Sequence, residues 1–462
     1  MDLNSIKQVY FIGIGGIGMS ALARFFAHYG TFVAGYDRTP GNLTRKLENE
    51  GMKIHYSDDL SLIPLRIMSA DEMIKTLIIY TPAVPDSHKE MSHFRNSGYT
   101  LMKRAEVLGL ISQNYDTIAV AGSHGKSTIS SMLAAIFNES AAGCSAFLGA
   151  ISKNLDSNLS LSENSTWAVM EADEFDRSFL HLKPSMALVT SMDPDHLDIY
   201  GAGDKLKESF VDFLGKLKEA GTIIIKEGLD LMPPPEKQSK VLRYGLNNRA
   251  DYYAKNLEQM MLGYSFDLVI PSAILKDIAI QIPGWINVEN AVGAAALCLE
   301  AGLSADVVRR GLWNFKGVKR RFDVRYNKAG KIYIDDYAHH PKEIKALCQS
   351  IRKLFPGKKV VGVFQPHLFS RTRDFASDFA NELSVLDDVA LMPVYPAREE
   401  PIPGVNAEMI LDKLSIKNKG ILTGDEVKAF AAEADWDIFL TIGAGDIDRL
   451  VEPIVEVLND LV

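Results

Sequence analysis

Residues 117–133 read TIAVAGSHGKSTISSML: a β-branched run, a glycine turn and a helical stretch. Gly125, Lys126 and Ser127 supply the G-K-[ST] core of a phosphate-binding loop at a strand-to-helix junction. In such a loop the backbone amides wrap phosphate, the lysine reaches the β- and γ-phosphates, and the hydroxyl joins a Mg²⁺ shell. The glycine usually found six residues before the lysine is Val120 here, so the loop is a shortened variant.

A second glycine loop lies about a hundred residues upstream. Residues 9–26, VYFIGIGGIGMSALARFF, place Gly13, Gly15 and Gly18 in a G-x-G-x-x-G pattern between strand and helix, with Gly16 as an extra glycine. Such glycines allow a tight turn and the approach of a pyrophosphate to a helix N-terminus. Asp37 closes the next strand, where an acidic residue meets a ribose in dinucleotide-binding folds. Taken alone, this loop fits a nicotinamide enzyme, any other nucleotide diphosphate such as a UDP-sugar, or a tight turn without a ligand.

Short β-branched runs alternate with helical stretches along the chain, and the pattern restarts after residue 330 with KIYIDDYA, KVVGVFQP, DVALMPVYP and DIFLTIGAGD. Alternation of this kind predicts α/β architecture with parallel sheets. The 462 residues accommodate three such units, with boundaries at LMKRAEVLGLI and FKGVKRRFDV, giving units 1–107, 108–317 and 318–462. The proline-rich LDLMPPPEKQSK (residues 229–240) reads as a surface loop within the middle unit.

A net charge of −9 argues against a nucleic-acid partner. Cys144, Cys298 and Cys348 are too scattered for a metal cluster or a disulfide framework, which suits a reducing cytoplasm. The opening MDLNSIKQVY lacks the basic and apolar regions of a secretory signal, and the apolar NAVGAAALCLEAG is too short to span a bilayer. A cytoplasmic protein without membrane insertion is expected.

Magnesium ligands are expected at the carboxyl ends of strands beside the P-loop. WAVMEADEFD brings Glu171 there, and MALVTSM running into DPDHLD brings His196. Individually each reads as a solvated turn or a structural histidine; at consecutive strand ends they read as a site with Ser127.

GIGGIGMSALA, AGSHGKST, EADEFDRSFLHL and DPDHLD, joined by NVENAVGAAA, GVKRRFD, DDYAHHP and QPHLFSRTRD, resemble the Mur ligases of peptidoglycan synthesis over essentially the whole chain. The resemblance implies an N-terminal Rossmann-like UDP-binding domain, a central P-loop ATPase-like domain and a C-terminal Rossmann-like domain. It further implies an ATP- and Mg²⁺-dependent ligase joining L-alanine to the lactyl carboxylate of UDP-N-acetylmuramate through an acyl phosphate. A sister ligase that attaches recycled murein tripeptide to the same UDP-sugar is the alternative.

By the same resemblance, the loop Gly122, Ser123, His124, Gly125, Lys126, Ser127 and Thr128 would hold ATP, with Asn287 and Asn290 near its base, Arg321 on phosphate and Asp336 on ribose. Gly13, Gly15, Gly16, Gly18 and Asp37 would hold the UDP-sugar. Ser127, Glu171 and His196 would serve the metal, and Tyr337, His339, Arg371 and Arg373 the amino acid. Lys126, His124, Arg321 and His339 would carry the chemistry, with His339 or His340 as the base. QPHLFSRTRD carries Leu368 where many relatives are basic, and ESFVDF has no lysine to be carbamylated for a second metal. Two phosphate cradles in one chain then answer to two nucleotides. A nicotinamide oxidoreductase leaves GSHGKST unexplained, and a noncatalytic nucleotide-binding protein leaves the phosphate and metal set without a purpose.

Overall fold

The computed structural model describes residues 3–82, 84–85, 87–193, 203–397 and 399–461. They form two compact units, one of residues 1–282 and 286–316, the other of residues 283–285 and 317–462. The first unit contains two sheets and the second contains one.

The first sheet comprises β1 (Gln8–Ile12), β2 (Phe32–Tyr36), β3 (Lys53–His55), β4 (Thr76–Tyr80) and β5 (Thr100–Lys103), in spatial order 3-2-1-4-5. All four pairings are parallel. Every residue of β1 is buried, as expected for a strand covered on both faces. The order reverses beside β1, and the glycine loop follows β1 at that switch point.

The second sheet has ten strands: β6 (Asp116–Ala121), β7 (Ser145–Ser152), β8 (Ser157–Ser160), β9 (Trp167–Ala172), β10 (Met186–Val189), β11 (Thr222–Lys226), β12 (Lys240–Gly245), β13 (Tyr252–Gln259), β14 (Tyr264–Ile270) and β15 (Ala273–Ile280). Their order is 15-14-13-12-11-10-6-9-7-8. The middle of the sheet is parallel, while β13–β15 form an antiparallel extension at one edge and β8 an antiparallel cap at the other. β6 lies between β9 and β10, so its loop opens between the carboxyl ends of both.

The helix Ile286–Glu300 explains the apolar run NAVGAAALCLE. Residues Asn287 to Cys298 are all buried, because the helix packs on the sheet and alongside the P-loop helix Lys126–Asn138. The proline-rich segment is a loop that ends where β12 begins.

The second unit carries β16 (Asp323–Lys328), β17 (Lys331–Asp336), β18 (Val360–Phe364), β19 (Asp388–Leu391), β20 (Asn418–Ile421) and β21 (Ile438–Ile442), in order 16-17-21-18-19-20. Five strands are parallel and β16 is an antiparallel edge. Among the described residues no helix is long and apolar enough to cross a membrane.

Candidate functional site

The glycine turn after β6 is held open by backbone that only glycine adopts readily. Gly122 has φ +128°, and a Cβ there would run into the Thr190 hydroxyl and lie 2.8 Å from the Ser191 amide nitrogen. Gly125 has φ +83°, caps the helix Lys126–Asn138 without a side-chain hydrogen bond, and lies against the Asn290 carboxamide. The amides of the first helical turn therefore face outward, as a phosphate requires.

Lys126 Nζ donates to the Gly122 carbonyl at 2.6 Å and to Glu174 Oε2 at 2.7 Å. Glu174 is 1% exposed. Burial by itself would lower the Lys126 ammonium; the carboxylates of Glu174, Asp173 and Glu171 outweigh it and hold the group above the usual lysine value. Sequence reasoning singled out Glu171 in EADEFD and missed Glu174, although an acid three residues further on, at the same strand end as a P-loop, was the available signal.

The rest of the loop is braced by the segment that follows β10. His124 N donates to Ser191 Oγ at 3.0 Å, Ser123 Oγ donates to the Asp193 carbonyl at 2.9 Å, and His124 Nε2 lies 3.5 Å from Asp193 Oδ2. Ser127 is buried and Thr128 half-buried in the first helical turn. Asn290 donates to Asn287 at 3.1 Å, one turn apart on their helix, so both asparagines face the loop side together. Glu171 accepts from Gly149 N at 3.1 Å, and its strand register sets it opposite Val120 at the mouth of the loop. Ser127 and Glu171 offer the oxygen donors a hard divalent cation takes. His196 lies outside the described residues.

In the first glycine loop, Gly13 has φ +91° and a Cβ there would meet the Thr81 methyl at 2.7 Å. Gly15 N donates to Asp37 Oδ2 at 2.7 Å, so the acid at the end of β2 turns into the loop itself. Gly16 caps the helix Ile17–His28 without a side-chain hydrogen bond. A cleft of about 290 Å³ opens here, lined by Gly16, Gly18, Lys103, Arg104, Glu171 and Asp173 among others. Both glycine loops therefore belong to one compact unit, and Glu171 lines the cleft of the first.

In the second unit, Arg320 and Arg321 both lie over the Tyr337 ring, each 5.2 Å from its centre. Asp336 accepts from Phe322 N at 2.6 Å and Ala338 N at 2.8 Å. Burial pushes its carboxyl up to about 6 against the opposing pull of Arg321. His339 Nδ1 lies 3.0 Å from the Tyr337 carbonyl and 3.3 Å from Glu343 Oε2. Burial lowers the His339 imidazole although Glu343 opposes it, which favours the neutral ring. His340 caps the helix Pro341–Leu354, its Nδ1 accepting from Lys342 N at 3.4 Å. Glu343 completes that cap and orients His339, a role that sequence reasoning missed and that the spacing from His340 to Glu343 encodes.

Arg371 and Arg373 diverge, being two residues apart on the helix Phe369–Leu383. Arg371 Nη1 is buried and has no hydrogen-bond partner among the described residues, whereas Arg373 is exposed and pairs with Asp374 at 2.7 Å. Leu368 is buried at φ +71° at the head of that helix, donating its amide to the Tyr395 carbonyl at 2.9 Å.

Three family models match in order: "Mur ligase family, catalytic domain" over residues 8–116, "Mur ligase middle domain" over 120–298, and "Mur ligase, glutamate ligase domain" over 320–445. The chain is 46% identical to the UDP-N-acetylmuramate–L-alanine ligase of Parabacteroides distasonis, covering 99% of this chain and 98% of that one. It is also 46% identical to the protein of that name from Flavobacterium johnsoniae, with both chains fully covered. Among solved structures, the UDP-N-acetylmuramate-alanine ligase MurC of Thermotoga maritima aligns with TM-score 0.82 and 25% identity, over 98% of this chain and 100% of that one. A murein peptide ligase from Psychrobacter arcticus shares the fold with TM-score 0.72 at 19% identity, covering 99% of each chain.

Proposed function

The chain belongs to the Mur ligase family, and from that premise we propose that it joins L-alanine to the lactyl carboxylate of UDP-N-acetylmuramate at the expense of ATP. The observation that carries this reading is the pair of glycine loops within one unit, one with a cationic lysine for a triphosphate and one suited to a diphosphate. The relatives at 44–46% identity favour alanine over the tripeptide-attaching alternative.

A carboxylate is a poor electrophile, so it must be activated. A lactyl carboxylate oxygen attacks the γ-phosphorus of ATP, ADP departs, and an acyl phosphate remains. The free amine of alanine then attacks the acyl carbon, and the tetrahedral adduct expels phosphate to leave the amide. Lys126 and Arg321 offset the charge of phosphate and carboxylate as they approach, so catalysis is positioning and neutralisation. Ser127 and Glu171, with His196, would hold a Mg²⁺ ion, which when bound neutralises phosphate charge. His339 is the better base for the alanine ammonium, because it is held neutral and oriented by Glu343, whereas His340 is committed to its helix cap. Arg371, with its buried orphan donor, suits the alanine carboxylate; Arg373 faces solvent. We assign residues 1–107 to the UDP-sugar, 108–317 to ATP, and 318–462 to the amino acid and part of the nucleotide. Three buried free cysteines suit a cytoplasmic setting.

Phosphate release from ATP with Mg²⁺ and UDP-N-acetylmuramate tests the proposal, comparing L-alanine, serine, glycine and a murein tripeptide. Product with L-alanine supports it. Release only with tripeptide, or with no acceptor at all, refutes it.

A further inference from the structure

A buried amide joins the first glycine loop to the sheet that carries the second. Asn158 lies in β8, at one edge of the ten-stranded sheet, and is fully buried. Its Nδ2 donates to the Ile17 carbonyl and, at 3.1 Å, to Ser20 Oγ; its Oδ1 accepts from Arg24 Nη1 at 2.9 Å. All three partners belong to the helix Ile17–His28, which starts directly after Gly16. Ser20 in turn donates its amide to the Gly16 carbonyl at 2.9 Å, so the contact reaches the loop itself. Arg24 is held from its other side by Glu50, with Nε to Oε2 at 2.7 Å and Nη2 to Oε1 at 2.8 Å.

The opposite strand of the same hairpin reaches the ATP side. β8 pairs antiparallel with β7, Leu159 opposite Phe147, and the register is irregular between Phe147 and Ser152. Within that irregular stretch Gly149 N donates to Glu171 Oε2 at 3.1 Å, and a Cβ on Gly149 would run into the Glu171 carboxylate. One short hairpin thus touches the helix of the acceptor loop with one strand and the carboxylate at the mouth of the ATP loop with the other.

Apolar packing crosses the same boundary: the Phe25 and Phe147 rings lie 5.6 Å apart, and the core beneath the first sheet continues into the second. Apolar contact is non-directional and tolerates sliding. A buried amide with its donors and acceptor all engaged does not, because a shift would orphan them. The Lys46–Asp156 pair also bridges the first glycine-loop region and this hairpin, but it is exposed and holds weakly. Exchanging a buried amide for an apolar side chain of similar shape is nearly neutral for stability, so what Asn158 supplies is register.

We propose that Asn158 is a positioning residue: it holds the helix of the acceptor loop in register with the β7–β8 hairpin and so sets the distance from the acceptor carboxylate to the γ-phosphate of ATP. The inference rests on the proposed reaction between two nucleotides.

The test uses the full-length protein, with kcat and KM for ATP and UDP-N-acetylmuramate and a melting temperature for each variant. Asn158→Leu is expected to lower kcat by about 10²-fold, the cost of misplacing reacting groups by about 1 Å, with both KM values and the melting temperature nearly unchanged. A merely structural residue would move the melting temperature and spare the kcat of the folded enzyme. If Asn158→Leu fails to fold, Asn158→Asp takes its place: it keeps the acceptor for Arg24, loses both donors, and is expected to show the same fall in kcat. Lys46→Met, which breaks the exposed bridge, is expected to leave kcat unchanged. An unchanged kcat in the folded Asn158 variant overturns the inference and leaves the functional reading intact. So does a raised acceptor KM at unchanged kcat, which would make Asn158 a support of the acceptor loop alone. Wild-type protein that turns over with no acceptor overturns both.

Discussion

The two glycine loops of the first unit follow parallel strands in the same manner, yet they are built around opposite charges. The loop at 122–127 carries its own cation, Lys126, neutralised by the buried Glu174. The loop at 13–18 carries none, and its Gly15 amide is taken by the carboxylate of Asp37. Buried acids in the two regions diverge in the same way. Glu174 sits on an ammonium, whereas Glu90, fully buried beneath the first sheet, accepts from the Tyr10 hydroxyl at 2.7 Å, and burial pushes its carboxyl up to about 7. A loop that steers phosphoryl transfer needs a fixed cation. A loop proposed only to hold a diphosphate needs no cation of its own, because backbone amides at a helix start already attract an anion.

The largest effect should come from removing the fixed cation. Lys126→Met is expected to cut phosphate release with all substrates present by about 10³-fold, the scale for losing one preorganised charge donor. It also takes the ammonium away from the buried Glu174 carboxylate, which costs about 3–5 kcal/mol of stability in a denaturant melt. Adding Glu174→Gln to Lys126→Met should restore much of that stability and none of the activity. A double variant as active as the wild type would erase the distinction between the loops.

The next test concerns Glu90. Its folded pKa is raised above the unfolded value, so its contribution to stability is full at pH below about 4.5 and is lost as pH rises through about 7. Glu90→Gln carries no such slope and should gain on the wild type between pH 4.5 and 8. The ceiling is about 3 kcal/mol by the free-energy equivalent of the shift, reduced by whatever the Tyr10 hydrogen bond loses. Parallel stability curves for the two proteins would show that Glu90 is ionised after all, and that both regions bury charged acids.

Much of this contrast was legible beforehand. The runs VYFIG, TLIIY, TIAVA and WAVME are the strands that carry both loops, because a parallel strand buried on both faces must be apolar throughout. Less legible were β13–β15, whose half-exposed residues lack so plain a signature, and the partners brought in from distant segments. Nothing local joins Arg24 to Asn158 or Arg371 to an empty partner position. Glu174 and Glu343 were visible as letters, but their roles depend on which cation or imidazole the fold sets against them.

The last comparison separates the loops by shape alone, and Gly16→Ala, set against Gly122→Ala, carries the smallest expected effect. Gly122→Ala puts a methyl into Thr190 at φ +128° and should disable ATP binding, since the strand behind the loop is buried and cannot retreat. Gly16 differs: it has φ −63° and ψ 143°, open to any residue, and a Cβ there would sit 3.6 Å from the nearest atoms, an ordinary contact. Gly16→Ala should therefore cost about 1 kcal/mol or less, the penalty of alanine at a helix cap, and leave the melting curve nearly unmoved. Its acceptor KM then reports on the ligand, because the methyl projects where a diphosphate would approach the helix start. An acceptor KM raised several-fold at nearly unchanged stability would mean that this open space is reserved for substrate. An unchanged KM would mean that the diphosphate keeps clear of Gly16.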